Sequence, residues 1–371
     1  MENHDNTDGI VLLAKKPGLT SFASLNSVKK ALGTGKVGHT GTLDSFAQGL
    51  LVVCTGRLTR LAGNITEFDK SYDAVIKFGE ETDTLEYTGG IVKMGPLPTE
   101  NALRESLNAF KGNIMQRPPA FSAIHVNGKR ASDLARDGKM QELPARPVCV
   151  YEAEIRELKY AESADSADAA STDARIVQYA LIHFSVSKGT YIRSLARDIA
   201  EACGSAAHLV GLYRTKVGHF TIENAAGFSQ MEGFSIENAV KEADDWKTTA
   251  ARQEVQSLED KEQTPPALKQ PKKDWANDAA EIKLREEIKA KKISLDKDTA
   301  KLCGFDVINT VSSEAEANFK NGKPLRSNMF DKNLHTLLNE TSAAVFTQGG
   351  CFIGLIYKNA EGRISYKFVI N

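Results

Sequence analysis

From Gly38 to Leu51 the chain reads GHTGTLDSFAQGLL, with three glycines, one histidine, two threonines and a single carboxylate, Asp44, ahead of an apolar run. Glycine at this density opens backbone conformations closed to other residues and lets a ligand approach the main chain. Asp44 falls on the loop before the buried segment Leu50–Cys54, where a lone carboxylate can work as a nucleophile or as a base. The same letters also describe a tight turn in which Asp44 caps a helix. Arg193, in SKGTYIRSLAR (Ser187–Arg197), falls near the start of a helix capped by Thr190, with Ile192, Leu195 and Ile199 turned inward. Taken alone, Arg193 reads as a surface charge. Tyr72 opens SYDAVIKFGE (Ser71–Glu80), a strand with Tyr72, Ala74, Ile76 and Phe78 on one face and Asp73 and Lys77 on the other. Periodicity alone makes Tyr72 a core aromatic.

The elements that must hold these residues follow from the apolar pattern. Gly9–Ala14, GIVLLA, is a buried strand, and Thr20-Ser21 starts a helix through Phe22–Leu32 that Gly33 stops. Lys29, Lys30 and Lys36 lead into the Asp44 loop, either as a solvated helix face or as phosphate contacts. Leu103–Phe110 is an amphipathic helix. Arg117–Pro147 mixes prolines and glycines with a basic excess that includes Lys129, Arg130 and Arg146. Residues 162–172, ESADSADAAST, have no apolar periodicity and read as a loosely ordered loop. Arg175–Ser187 resumes strand alternation, and Ala206–Phe220, AAHLVGLYRTKVGHF, closes the first domain, with His208 and His219 structural. Beyond Val240, Lys241–Ala300 is dense in Lys, Glu and Asp, carries Trp246 and Trp275, and offers a charged helix at Ala279–Ile293. From Cys303 onward, Asn318–Arg326, Ala343–Lys358 and Gly362–Asn371 read as short strands joined by Asn-Gly and Gly-Gly turns.

At 371 residues the chain has room for two domains with a real core. A net charge of −1 announces no nucleic acid globally, so RNA binding must come from a local basic surface. The opening MENHDNTDG has no apolar h-region and the apolar runs are too short to span a bilayer, which points to a cytoplasmic protein with no membrane contact. Five scattered cysteines without a C-x-x-C point to free thiols, with neither disulfide nor metal. No nucleotide-binding loop is present, so no cofactor is expected.

GHTGTLD, KSYDAVIKFG with its TDTLE tail, KGTYIRSLAR and AAHLVGLYRT, in that order, resemble the catalytic motifs of the bacterial TruB family of tRNA pseudouridine synthases. The opening KKPGLTS resembles the family's first motif. The departures are Lys15 for a common aspartate, Ser45 for proline, Gln48 for threonine and Glu86 in the last acidic place of the tail. The resemblance implies an α+β fold: a mixed, mainly antiparallel sheet flanked by helices, spanning residues 1–240. Within it, residues 117–147 correspond to an RNA-contacting thumb. A charged, partly disordered insertion would follow at 241–302, and a small β-rich, PUA-like RNA-binding domain at 303–371.

The resemblance further implies roles for single residues. Asp44 would be the catalytic group, Arg193 its ion-pair partner and Tyr72 the ring that stacks on an extruded uracil. His39 would lie beside the flipped nucleotide and Leu212 would pack against the base, although a plain core leucine fits Leu212 as well. Lys15, Lys16, Lys129, Arg130 and Arg146 would touch RNA. The implied substrate is uridine 55 in the T loop of tRNA, bound by a monomer through the T stem-loop. Two other readings share the scaffold: a tRNA-folding chaperone without chemistry, and a sister synthase with another RNA target. Intact Asp44, Tyr72 and Arg193 argue against the chaperone. A carboxylate-dependent glycosidase would call for a second acidic partner, which the sequence does not nominate.

Overall fold

The computed structural model describes residues 7–126, 128–139, 142–161, 175–259 and 278–370. β1 (Gly9–Lys15) is buried at every position. Thr20 caps α1 (Ser21–Leu32) by accepting from the Ala23 amide at 3.1 Å, and Gly33 ends it in the left-handed region. β2 (Val37–His39) and β3 (Gln48–Thr55) bracket the GHTGTLD loop, and β3 runs antiparallel to both β1 and β2. Only glycine fits at position 49. Its φ is +114°, and an added Cβ would stand 2.4 Å from the Arg214 carbonyl oxygen.

The short α2 (Ala62–Thr66) leads to β4 (Lys70–Phe78), in the middle of the sheet. The hairpin of β5 (Glu80–Thr82) and β6 (Ile91–Met94) projects beyond it, followed by α3 (Glu100–Ala109) and β7 (Gly112–Gln116). Residues 117–147 hold a small hairpin, β8 (His125–Val126) and β9 (Lys129–Arg130), and α4 (Ala131–Arg136). β10 (Arg146–Tyr160) and β11 (Val177–Val186) form a long antiparallel pair. The loop expected at 162–172 lies outside the described residues. α5 (Ile192–Ala202), β12 (Ala207–Val217) and β13 (Phe220–Thr221) complete the set.

Nine strands make one sheet in the order β1-β3-β12-β4-β11-β10-β7, with β2 beside β3 and β13 beside β12. Only the β3–β12 pairing is parallel. This is the mixed, mainly antiparallel sheet that the motifs implied. Tyr72, Ala74, Ile76 and Phe78 of β4 join Leu103 and Leu107 of α3 and Ile192, Leu195 and Ile199 of α5 in one core cluster. The helix of SKGTYIRSLAR starts later than its sequence suggests: Tyr191 is its N-cap residue, without a side-chain bond, while the Thr190 hydroxyl donates to the Ser187 carbonyl at 2.9 Å. Thr190 therefore closes a turn and does not cap the helix.

The break placed at residue 240 falls inside α6 (Ile236–Glu259). Ile236, Ala239 and Ala243, at spacings of three and four, are buried in the main core, so the charged composition begins on the outer face of a packed helix. Residues 260–277 of the expected insertion, with Trp275, lie outside the described residues. α7 (Ala279–Ala290) lies on α1, with the Ser27 hydroxyl donating to Glu281 at 3.0 Å, and Ile293 exchanges both backbone hydrogen bonds with Ile10.

α8 (Lys297–Leu302), β14 (Asp306–Asn309), α9 (Ser313–Lys320), β15 (Thr341–Phe346), β16 (Phe352–Lys358) and β17 (Ile364–Val369) form the C-terminal unit. Its four strands are ordered β14-β15-β16-β17. Asn318–Arg326, read as a strand, is the end of α9 and the loop after it, because Ser312 caps that helix at the Ala315 amide. Phe305, Val307, Ala344, Phe346 and Leu355 share a core with Ile10, Leu12, Leu50 and Val52, so this sheet is docked on β1 and β3. Among the described residues no helix is long and apolar enough to cross a membrane.

Candidate active site

The Asp44 loop is gripped from several sides. The Ser21 hydroxyl, at the first residue of α1, accepts from the Leu43 amide at 2.8 Å and donates to the Leu43 carbonyl at 2.9 Å. Arg214 of β12, only 2% exposed, donates to the carbonyls of Leu50, Thr42 and Gly41 at 2.8, 3.4 and 3.2 Å. After Asp44 the chain turns, with the Ala47 amide donating to the Asp44 carbonyl at 3.2 Å. Lys15 donates into that turn from below, to the carbonyls of Ser45 and Ala47. Lys15 is 1% exposed, which removes it from the RNA-facing set in which the sequence placed it. Burial pushes its pKa down to about 7, with Asp44 opposing the shift.

Arg193 and Asp44, 149 residues apart in sequence, meet in a two-pronged ion pair. Arg193 Nε stands 3.0 Å from Asp44 Oδ2, and its Nη2 donates to Oδ1 at 3.1 Å. The guanidinium is also fixed by the Thr84 carbonyl at 2.8 Å and the Phe121 carbonyl at 3.0 Å. Its side chain is 6% exposed, against 33% for Asp44. The buried cation thus anchors a carboxylate that faces outward. Such a charge-assisted, forked pair is rigid, and it leaves a lone pair free on each oxygen for a substrate.

The turn after β5 supplies one anchor at a local cost. Leu85 is buried with φ +60°, a conformation that costs about 1–3 kcal/mol outside glycine. Held there by Thr82 and Leu209 through backbone bonds, it presents the Thr84 carbonyl to Arg193. Glu86 follows, accepting from the Thr88 hydroxyl at 2.7 Å. Burial, and next the Asp44 charge, raise its pKa to about 7, with Arg193 opposing.

Tyr72 is 8% exposed and stands across from Arg214 in the β4–β12 register, next to Ala74, whose partner is Leu212. Tyr72 and Leu212 therefore share the sheet face on which Arg214 holds the loop. Leu212, 5% exposed, also lines a cavity of about 470 Å³ with Phe46 and Gln48. Neither Asp44 nor Arg193 lines that cavity. His39 ends β2 opposite Val53, its buried Nδ1 has no hydrogen-bond partner, and burial and Arg214 lower its pKa.

The expected RNA contacts disperse. Lys16 lines the 470 Å³ cavity and donates to Gln230 at 3.4 Å. Lys129 and Arg146 are exposed, on β9 and at the start of β10. The backbone of Arg130 is in β9, and its side chain lies outside the described residues. Residues 116–121 are tied to the Arg193 helix: Phe121 and Arg117 offer carbonyls to Arg193 and Arg197, and Gln116 makes two hydrogen bonds with the Tyr191 backbone. Sequence reading missed Ser21, Arg214 and the Thr84 and Phe121 carbonyls. Ser21 and Arg214 do stand inside quoted motif strings, but most of their acceptors are backbone atoms, which no residue letter reports.

Comparison with known proteins gives this arrangement its class. A chain of a Cbf5–Nop10–Gar1 complex matches 97% of this chain and 84% of its own at a TM-score of 0.57 and 21% identity, which is a likeness of fold. The model of the TruB family pseudouridylate synthase N-terminal domain matches residues 29–192, a span that holds Asp44 and Tyr72 and ends one residue before Arg193. The class is pseudouridine synthase. A protein named tRNA pseudouridine synthase B from Treponema pallidum (strain Nichols) is 37% identical over 96% of this chain and 95% of its own length. One of the same name from Treponema denticola is 48% identical over 62% of this chain, a match covering 65% of that protein. The chain belongs to the TruB family.

Proposed function

We propose that this enzyme converts uridine 55 in the T loop of tRNA to pseudouridine, in the cytoplasm and as a monomer without metal. The observation that carries the reading is the forked Asp44–Arg193 pair, buried on the arginine side and open on the aspartate side. The names of the full-length relatives support tRNA as the substrate.

The nucleotide is drawn out of the folded loop, because its C1′–N1 bond cannot be reached within the stack. Tyr72 stacks on the uracil, Leu212 packs against it, and His39 holds the extruded nucleotide. Asp44 then acts on the ribose, as nucleophile at C1′ or as base toward the 2′ proton. The C1′–N1 bond breaks, the uracil turns, and C1′ bonds to C5. The C5 proton leaves and N1 ends protonated, so the isomer has the atoms of the substrate. Lys16, Lys129, Arg130 and Arg146, the thumb and the C-terminal PUA-like unit bind the T stem-loop.

Mapping pseudouridine in tRNA transcripts after incubation with the pure protein tests this. Product is expected at the T-loop uridine alone. Product elsewhere, retained in a transcript lacking that uridine, would overturn the assignment of the target.

A further inference from the structure

The last residue of β1 is a lysine buried as deeply as the isoleucine and valine of that strand. An ammonium has three hydrogens and no acceptor capacity. Lys15 has three acceptors, all backbone carbonyls: Lys16 at 3.2 Å, Ser45 at 3.2 Å and Ala47 at 2.5 Å. The Ser45 carbonyl also accepts from the Gly18 amide at 2.8 Å. The charges facing the ammonium are Asp44 on the loop, Arg214 from β12 and Glu242 from α6.

A hydrophobic residue would complete β1 with less desolvation, so packing does not explain a lysine here. Its bonds are to the carbonyls one and three residues after Asp44, the two ends of the turn that carries the carboxylate away from β2. Ser21 and Arg214 hold the chain before Asp44, and Arg193 holds its side chain. After Asp44 the only side chain bonded to the turn, among the described residues, is Lys15.

We propose that Lys15 is a positioning residue for the reaction: its ammonium fixes the turn that follows Asp44 and so sets where the carboxylate stands, without touching RNA. The inference rests on the reading of Asp44 as the catalytic group. Without the ammonium, the Ser45 and Ala47 carbonyls lose their common donor and the turn can shift, and a displacement of about 1 Å costs about 100-fold in rate.

The test compares wild type, Lys15→Met, Lys15→Gln and Asp44→Asn on a tRNA transcript with a T-loop uridine. Single-turnover rate at saturating tRNA, tRNA Kd across a salt series, and melting temperature are read for each. Lys15→Met is expected to react about 100-fold more slowly with unchanged Kd and unchanged salt slope. Lys15→Gln, which keeps two donors, is expected to fall between it and wild type, and this variant carries the test if Lys15→Met does not fold. A wild-type rate in Lys15→Met overturns the proposal. So does weaker binding with a salt slope lower by about 0.7–1, which marks a phosphate contact. Failure of both Lys15 variants to fold also overturns it, since the residue would then serve core stability. An active Asp44→Asn sinks the reading of the site itself, whereas an inactive Asp44→Asn beside a fast Lys15→Met sinks only the role of Lys15.

Discussion

Replacing Arg193 by lysine keeps the charge and removes the fork. The guanidinium makes three hydrogen bonds, to Asp44 Oδ1 and to the carbonyls of Thr84 and Phe121, and its Nε stands 3.0 Å from Asp44 Oδ2. An ammonium carries its hydrogens on a single atom and cannot reach acceptors spread around a planar fork, so at least one of those contacts is lost. A hydrogen bond to a charged group contributes about 1.5–3 kcal/mol, and the position is 5% exposed, so water cannot replace it freely. If the lost bond is one to Asp44, the single-turnover rate drops about 10- to 150-fold. Asp44 is free to rotate about the remaining contact, so the loss appears in the chemical step and tRNA binding holds. Isomerisation expels the C5 proton, so tritium release from tRNA labelled at uridine C5 follows the rate directly. Arg193→Lys reacting within a factor of two of wild type would refute the claim that the fork, and not the charge alone, holds the carboxylate.

Two more outcomes follow from the same geometry. Glu86 has a folded pKa of about 7 against an ordinary 4.5, so the folded chain keeps a proton that the unfolded chain has released. That contribution to stability is complete below pH 4.5 and is lost as pH rises to 7, by about 1–3 kcal/mol after allowance for partial exposure. Urea midpoints measured from pH 4.5 to 8 should show this slope, and Glu86→Gln should flatten it. Tyr72→Phe keeps the ring and should retain activity, whereas Tyr72→Leu removes a stacking partner worth about 1–3 kcal/mol per base. Single-turnover rates on tRNA separate the two, and an equal loss in both would mean that the hydroxyl, not the ring, does the work.

The sequence made the backbone plan legible wherever an apolar period met a cap. GIVLLA, the Thr20 cap and the Tyr72 strand fall where their letters put them. The pairing of Asp44 with Arg193 was legible only through the family resemblance of the motifs, because a separation of 149 residues leaves no spacing to read. Three misreadings have physical causes. Lys15 looked like an RNA contact because a charged letter suggests surface, but three carbonyls satisfy its ammonium inside the fold. The Asn-Gly of Asn318–Arg326 looked like a hairpin turn, yet Ser312 had already started a helix that ends there. At Val240 the composition turned charged while the buried stripe Ile236, Ala239 and Ala243 continued beneath it. The carbonyls that hold Arg193, Arg214 and Lys15 were invisible in principle, since every residue has one.

Asp44 is the group we propose performs the isomerisation. Asp44→Asn keeps the size and the polar contacts of the side chain and removes its charge. The direct measurement is pseudouridine content in tRNA after prolonged incubation with this variant at enzyme excess, beside its tRNA Kd. The account predicts binding close to wild type and no pseudouridine. Pseudouridine formed by the variant at a rate near that of wild type would contradict it.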